Sequence, residues 1–249
     1  MIINTGQRTD IPAFYPKWFA NRIKEGYVCV RNPYNPTQVS RYQLRPDLVD
    51  VIGFCSKNPE PFFPYLDLVK EFGQFWYVTI TPYGKDIEPG VPDKEHVLES
   101  FKYLSKRVGA NSIGWRYDPI FVSEKYTVDF HLSSFDKMAR ELDGYTNVVV
   151  ISFIDLYEKV KRIIAPKLKP ARKECACYLS GDIGAYDTCA HFCRYCYANN
   201  DLDMVARNRK KHDPDSPFLI GGYRPDDVIH DVPQKSWIDG QMNIFDYLK

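Results

Sequence analysis

Six short runs rich in β-branched and aromatic residues, at 2–4, 27–30, 51–54, 75–81, 112–117 and 147–153, alternate along this chain with segments of helical pattern. Each run has the length and composition of a buried strand. The segments between them carry helix punctuation. One opens on Pro16 and stops at Gly26, another opens on Pro61 and stops at Gly73, a third runs from Asp93 to Gly109, and a fourth from Thr127 to Gly144. Proline or a capping side chain suits a first turn, and glycine suits the left-handed exit from a last turn. The Pro-rich connection 32–50 has no clear helical pattern. Alternating strands and helices imply a parallel sheet with right-handed crossovers. The chain of 249 residues is a length one α/β barrel can use as a single unit, and the expectation is an α/β fold, a (β/α) barrel or partial barrel over residues 1–165.

In folds of this kind the chemistry sits at the C-terminal ends of the strands. There the chain places Arg8, Thr9 and Asp10, then Arg31 and Asn32, Lys57 and Asn58, Tyr83, the group Arg116, Tyr117 and Asp118, and finally Ser152 and Asp155. Arg8, Asp10, Arg116 and Asp118 are candidate catalytic residues, and Arg31, Lys57 and Asn58 are candidates for holding a cofactor. Cations gathered at one mouth predict a substrate with anionic groups, because guanidinium binds carboxylate and phosphate through paired contacts. The alternative is that these cations form salt bridges to Asp10, Asp118 and Asp155. Asp10 and Asp118 could also serve as the acid and base of a metal-independent hydrolase, or Asp10 could simply cap a helix.

Five of the seven cysteines fall between residues 175 and 196, as Cys175-x-Cys177 and Cys189-x3-Cys193-x2-Cys196. A disulfide framework is not distributed this way, so the cluster reads as a metal site. Before it lies 158–174, with seven Lys/Arg and two prolines, which reads as an exposed linker. It divides the barrel from a cysteine-rich cap, residues 166–249, expected over the strand mouth. Thiolates are soft donors that suit iron–sulfur chemistry. Zinc is the alternative metal, since these cysteines with His191 could supply four ligands. A fourth cysteine ligand from Cys175 or Cys177 would close the cluster and leave a structural or electron-transfer centre. Cys29 and Cys55 read as small buried hydrophobes.

The spacing C-x3-C-x2-C, with Tyr195 directly before the last cysteine, is similar to the cluster motif of the radical S-adenosylmethionine superfamily. That likeness implies a [4Fe-4S] cluster on Cys189, Cys193 and Cys196, with one iron open to S-adenosylmethionine, Tyr195 beside it and an external electron donor. The stretches RTDIPAFY, VRNPYNPTQVSR, SKNPEPF, WRYDPI, SFIDLY and CACYLSGDIGAYDTCAHFCRYCYAN together resemble the domain of unknown function 1848 family over nearly the whole chain. This resemblance implies a cysteine-cluster protein, like a radical S-adenosylmethionine enzyme whose cluster loop follows the barrel units in permuted order. Residues 188–199 are also similar to the cluster loop of the spore photoproduct lyase group.

With 33 Lys+Arg against 32 Asp+Glu, the net charge of +1 gives no global field toward nucleic acid. A local site remains open, because Arg207, Arg209, Lys210, Lys211 and His212 form a basic run and Tyr83 or Tyr117 could stack a base. A hydrophobic content of 44% excludes a disordered or collagen-like chain. The N-terminus MIINTGQRTDIPAF lacks a basic region followed by an apolar one, and no apolar run approaches ~18 residues. The expectation is a cytoplasmic protein with no membrane contact. The closing residues Trp237, Ile238, Met242, Ile244, Phe245 and Leu248 are expected to dock on the barrel.

Overall fold

A computed structural model describes residues 1–154 and 180–237. In chain order its elements are β1 (Ile2–Asn4), α1 (Ile11–Phe14), α2 (Pro16–Glu25), β2 (Tyr27–Arg31), β3 (Gln38–Gln43) and β4 (Val51–Ser56). A 3-10 helix, Glu60–Val69, leads to β5 (Gly73–Thr79), α3 (Lys94–Val108), β6 (Ile113–Ile120), α4 (Val128–Glu141) and β7 (Val149–Phe153). The chain continues with β8 (Ser180–Asp182), α5 (Leu202–Lys210) and β9 (Val228–Asp231).

Six strands form one sheet in the order β7-β6-β5-β4-β1-β8, and every neighbouring pair is parallel. From β1 the strands step outward one at a time to β7, and β8 returns to the other side of β1, with Ile2 opposite Val51 on one flank and Ser180 on the other. This is the winding direction of a β/α barrel. Among the described residues the sheet is open, with β7 and β8 as its edges, so the parallel α/β fold stands and a closed barrel is not formed.

Two elements depart from expectation. The run at 27–30 is a strand, but β2 pairs antiparallel with β3, and β9 joins β3 in a separate three-stranded sheet. The reason lies in the turn between them, where the Asn32 side-chain oxygen accepts from the backbone N–H of Tyr34 and Asn35. That Asx-type turn reverses the chain. The second departure is 61–72, where Pro64 stands inside the segment. Proline there removes a backbone donor, and the segment winds as a 3-10 helix instead of an α-helix.

The other helices end where their punctuation places them. Gly26 adopts φ 77° at the exit of α2, and Thr127 caps α4 by accepting from Phe130 N at 3.1 Å. Beneath them the core joins Ile3, Ile52, Phe54, Trp76, Val78, Ile113 and Trp115 of the sheet to Trp18, Phe19, Phe62 and Phe101. The Phe54 and Trp76 rings stack at 3.9 Å. Burying one such side chain contributes ~1.5–3 kcal/mol, so this layer fixes the strand ends that frame the site.

Residues 180–237 are woven into both sheets. Besides β8 and β9, Pro217 O accepts from Cys29 N, Ser216 O from Trp18 Nε1, and Asp215 O from Arg22, while Phe218 packs on Cys29. Trp237 is half exposed, with its backbone N–H on Asp50. Asp155, Cys175, Cys177, the basic linker and the tail from 238 lie outside the described residues. No described helix is long and apolar enough to cross a membrane.

Candidate functional site

The loop that leaves β1 is held tightly to β4. A Cβ at Gly6 would come 2.3 Å from the Cys55 carbonyl oxygen, so only glycine lets the two backbones approach this closely. Asp10 follows and is buried. One of its oxygens caps α1 by accepting from Ala13 N at 3.0 Å, and the other accepts from Lys57 N and from His191 Nε2, each at 2.8 Å. One carboxylate thus ties the first strand end to the third expected strand and to the cysteine loop.

That loop, 188–199, contains a bulky residue in a left-handed conformation, Phe192 at φ 55°. Such a backbone costs on the order of 1–3 kcal/mol and persists only where its surroundings over-determine it. Here Gly90 N donates to His191 O at 2.9 Å and Arg194 N to Ile87 O at 3.0 Å, clamping both sides of Phe192. Asn199 Nδ2 reaches Cys189 O at 2.6 Å, and Tyr15 OH reaches Thr188 O at 2.7 Å.

Between the loop and the strand ends lies a cavity of about 280 Å³. Arg8 and Asp10 line it from the end of β1, Cys55 and Lys57 from β4, Thr79 from β5, Arg116 and Asp118 from β6, and Ser152 from β7. The cysteine loop closes it with Cys189, Cys193, Tyr195 and Cys196. Among the described residues, these three cysteines and Cys55 form no disulfide. Burial pushes the Cys193 thiol up to about 12, the Lys57 charge offsetting part of the effect, and burial with the charge of Asp10 raises Cys189 well above its ordinary range.

The cations at the mouth are paired. Arg8 bonds the Asp182 carboxylate and its backbone oxygen, and Arg116 bonds Asp118, which also accepts from Ser152. Lys57 Nζ donates to Glu88 at 2.8 Å, and the same carboxylate accepts from Thr81 Oγ1 at 2.8 Å, from Lys94 and from Tyr195 OH. Burial would raise the Glu88 carboxyl, but Lys57 and Lys94 outweigh it and hold the group at about 2. Burial and the Glu88 charge together drive the Tyr195 phenol well above its ordinary range.

Of the residues singled out from sequence, Arg8, Asp10, Lys57, Arg116, Asp118, Tyr195, Cys189, Cys193 and Cys196 meet at this cavity. Arg31 does not. Its strand belongs to the small sheet, and its guanidinium is paired with Asp227. Asn58 lies beside the cavity without lining it, its N–H on Ser56 Oγ at 3.0 Å and its Oδ1 buried without a hydrogen-bond partner. Tyr83 and Tyr117 are each 1% exposed, with their hydroxyls on Pro119 O and His131, so neither can stack a base. In the basic run, Arg209 lies over the Phe14 and Tyr15 rings, and His212 Nδ1 donates to Leu219 O.

Sequence reasoning missed Glu88, Lys94, Asp182 and the cavity position of Cys55. The one signal for Glu88 is its place in the loop after an expected strand, where Tyr83 is the more conspicuous residue. Among the described residues no three His, Cys, Asp or Glu side chains converge closely enough to hold a single metal ion. A mononuclear zinc needs its ligands within about 2.0–2.3 Å of one point, whereas a cubane takes thiolates at separate irons. No curated protein and no solved structure matches the chain. A family profile matches residues 2–171 and 164–198, and by that coverage the chain belongs to the family described as Domain of unknown function (DUF1848).

Proposed function

We propose that this chain is an iron–sulfur protein of the radical S-adenosylmethionine kind, in which Cys189, Cys193 and Cys196 hold one [4Fe-4S] cluster and the strand mouth holds an anionic small substrate. The observation that carries this reading is that the three thiols of the C-x3-C-x2-C motif line the same cavity as the C-terminal ends of five parallel strands. The donor set fits. Three soft thiols outside any disulfide line one pocket, two of them buried, and the loop that carries them is held in a strained turn by Gly90 and Ile87. Thr9 Oγ1, buried in the same lining with no hydrogen-bond partner, leaves a donor for a bound polar group.

Held by Cys189, Cys193 and Cys196, such a cluster would supply the electron for reductive cleavage of S-adenosylmethionine. Tyr195 and Lys57 stand where they can orient that cofactor. Arg8, Asp10, Arg116 and Asp118 form the remaining polar wall. An anionic substrate would compete with Asp182 and Asp118 for the two guanidinium groups, which favours ligands offering paired oxygens.

Anaerobic reconstitution with iron and sulfide tests the reading, with iron and sulfide counted and products of S-adenosylmethionine sought after dithionite reduction. About four irons per chain, lost in Cys193→Ser, together with released methionine or 5′-deoxyadenosine, is the expected result. Stoichiometric zinc without iron overturns it. A full cluster that leaves S-adenosylmethionine intact makes the protein a structural or electron-transfer centre instead of an enzyme.

A further inference from the structure

The charges around Glu88 do not cancel. Its carboxylate is 1% exposed and accepts from two ammonium groups, Lys57 and Lys94, so the buried group carries one positive charge in excess. The neighbouring pairs are balanced: Arg8 with Asp182, and Arg116 with Asp118. Asp10, bonded to His191, acts from the Cys189 side. Of the two lysines, Lys57 lines the cavity, with its Nζ 5.5 Å from the centroid of the Tyr195 ring, and its charge acts on the Cys193 sulfur.

Reduction of a cysteine-bound cluster adds one negative charge to it. A fixed positive charge held in a buried pair such as Lys57 and Glu88 is weakly screened, so it favours the reduced state more than the same charge in solvent would. Hydrogen bonds and local charge are the levers by which a protein sets such a potential. Resting on the iron–sulfur reading above, we infer that Lys57, held by Glu88, is a positioning residue that raises the reduction potential of the cluster from the Cys193 side.

The test is a potentiometric titration of reconstituted wild type, Lys57→Met, Lys57→Arg and Glu88→Gln, with dithionite as reductant, the reduced cluster read by electron paramagnetic resonance and iron counted in each sample. Lys57→Met is expected to have a more negative midpoint than wild type, and Lys57→Arg a wild-type midpoint. Glu88→Gln is expected to shift positive, because both lysines then lack their carboxylate. Opposite signs from two variants of one contact separate an electrostatic role from a structural one. A fully loaded Lys57→Met with the wild-type midpoint overturns the inference, as do shifts of the same sign in Lys57→Met and Glu88→Gln. If Lys57→Met loads no iron, an unshifted or negative Glu88→Gln midpoint overturns it, as does failure of Lys57→Arg to restore loading. Absence of iron from the wild type refutes the iron–sulfur reading itself.

Discussion

Replacing Gly90 by alanine tests whether the 84–91 loop fixes the cysteine loop in place. A Cβ at this position would lie 2.2 Å from Ala190 O and 2.9 Å from both His191 Cα and His191 O. All three atoms belong to the backbone, so no side-chain rotation relieves the clash. The two loops have to separate, which weakens the bond from Gly90 N to His191 O and the 3.3 Å contact between Gly90 O and His191 Nδ1. Overpacking of this kind costs ~1–3 kcal/mol, and the lost hydrogen bond adds ~0.5–1.5 kcal/mol. For a chain of this size each kcal/mol lowers Tm by about 2–4 °C, so a fall of roughly 3–18 °C is expected. Circular dichroism melts of Gly90→Ala and Gly222→Ala make the comparison, since a Cβ at Gly222 meets nothing within 4 Å and that variant should melt with the wild type. A Gly90→Ala melt equal to wild type refutes the packing argument. A lowered melt with undiminished iron after reconstitution refutes the coupling of this contact to the cysteine site.

Two further outcomes follow from the same geometry. Trp76, fully buried and stacked on Phe54, should cost ~3–5 kcal/mol when cut to alanine, measured by urea unfolding with the slope compared to wild type. Glu88 is held at about 2 instead of its ordinary 4.5, so the stability it contributes is complete above pH 4.5 and is lost as pH falls toward 2. Glu88→Gln is less stable than wild type at pH 7 and should lose less Tm between pH 5 and pH 3, and equal losses would show that the carboxylate does not titrate as described.

The sheet is largely legible in the sequence because its signals are local. The strand at 2–4 and the helix stops at Gly26, Gly109 and Gly144 depend on side chains within a few residues, and the structure places them at those positions. What is not legible depends on partners far along the chain. The run at 27–30 has the same strand composition as its neighbours, yet the choice between the main sheet and a hairpin is made by Asn32 and the return of β9 about two hundred residues later. Among the described residues β8 spans Ser180–Asp182, whose Ser-Gly-Asp sequence carries no β-branched or aromatic residue to announce a strand.

The site divides in the same way. Cysteine spacing is a local code, so Cys189, Cys193 and Cys196 group together on spacing alone, and the β-branched and aromatic runs at 2–4, 51–54 and 112–117 put Asp10, Lys57 and Arg116 at strand ends. Charge compensation has no local code. Arg8 finds Asp182 across 174 positions and Arg31 finds Asp227 across 196, which removes two of the four cations expected to charge the mouth. Arg116 is neutralised by Asp118, two residues away and visible in the sequence. Lys57 differs because its carboxylate is shared with Lys94, so the excess resides in one buried group beside Cys193. Among the described residues, an anion entering the cavity therefore meets the uncompensated charge of this group at the cysteine wall, and the arginines act on a ligand able to displace their own carboxylates.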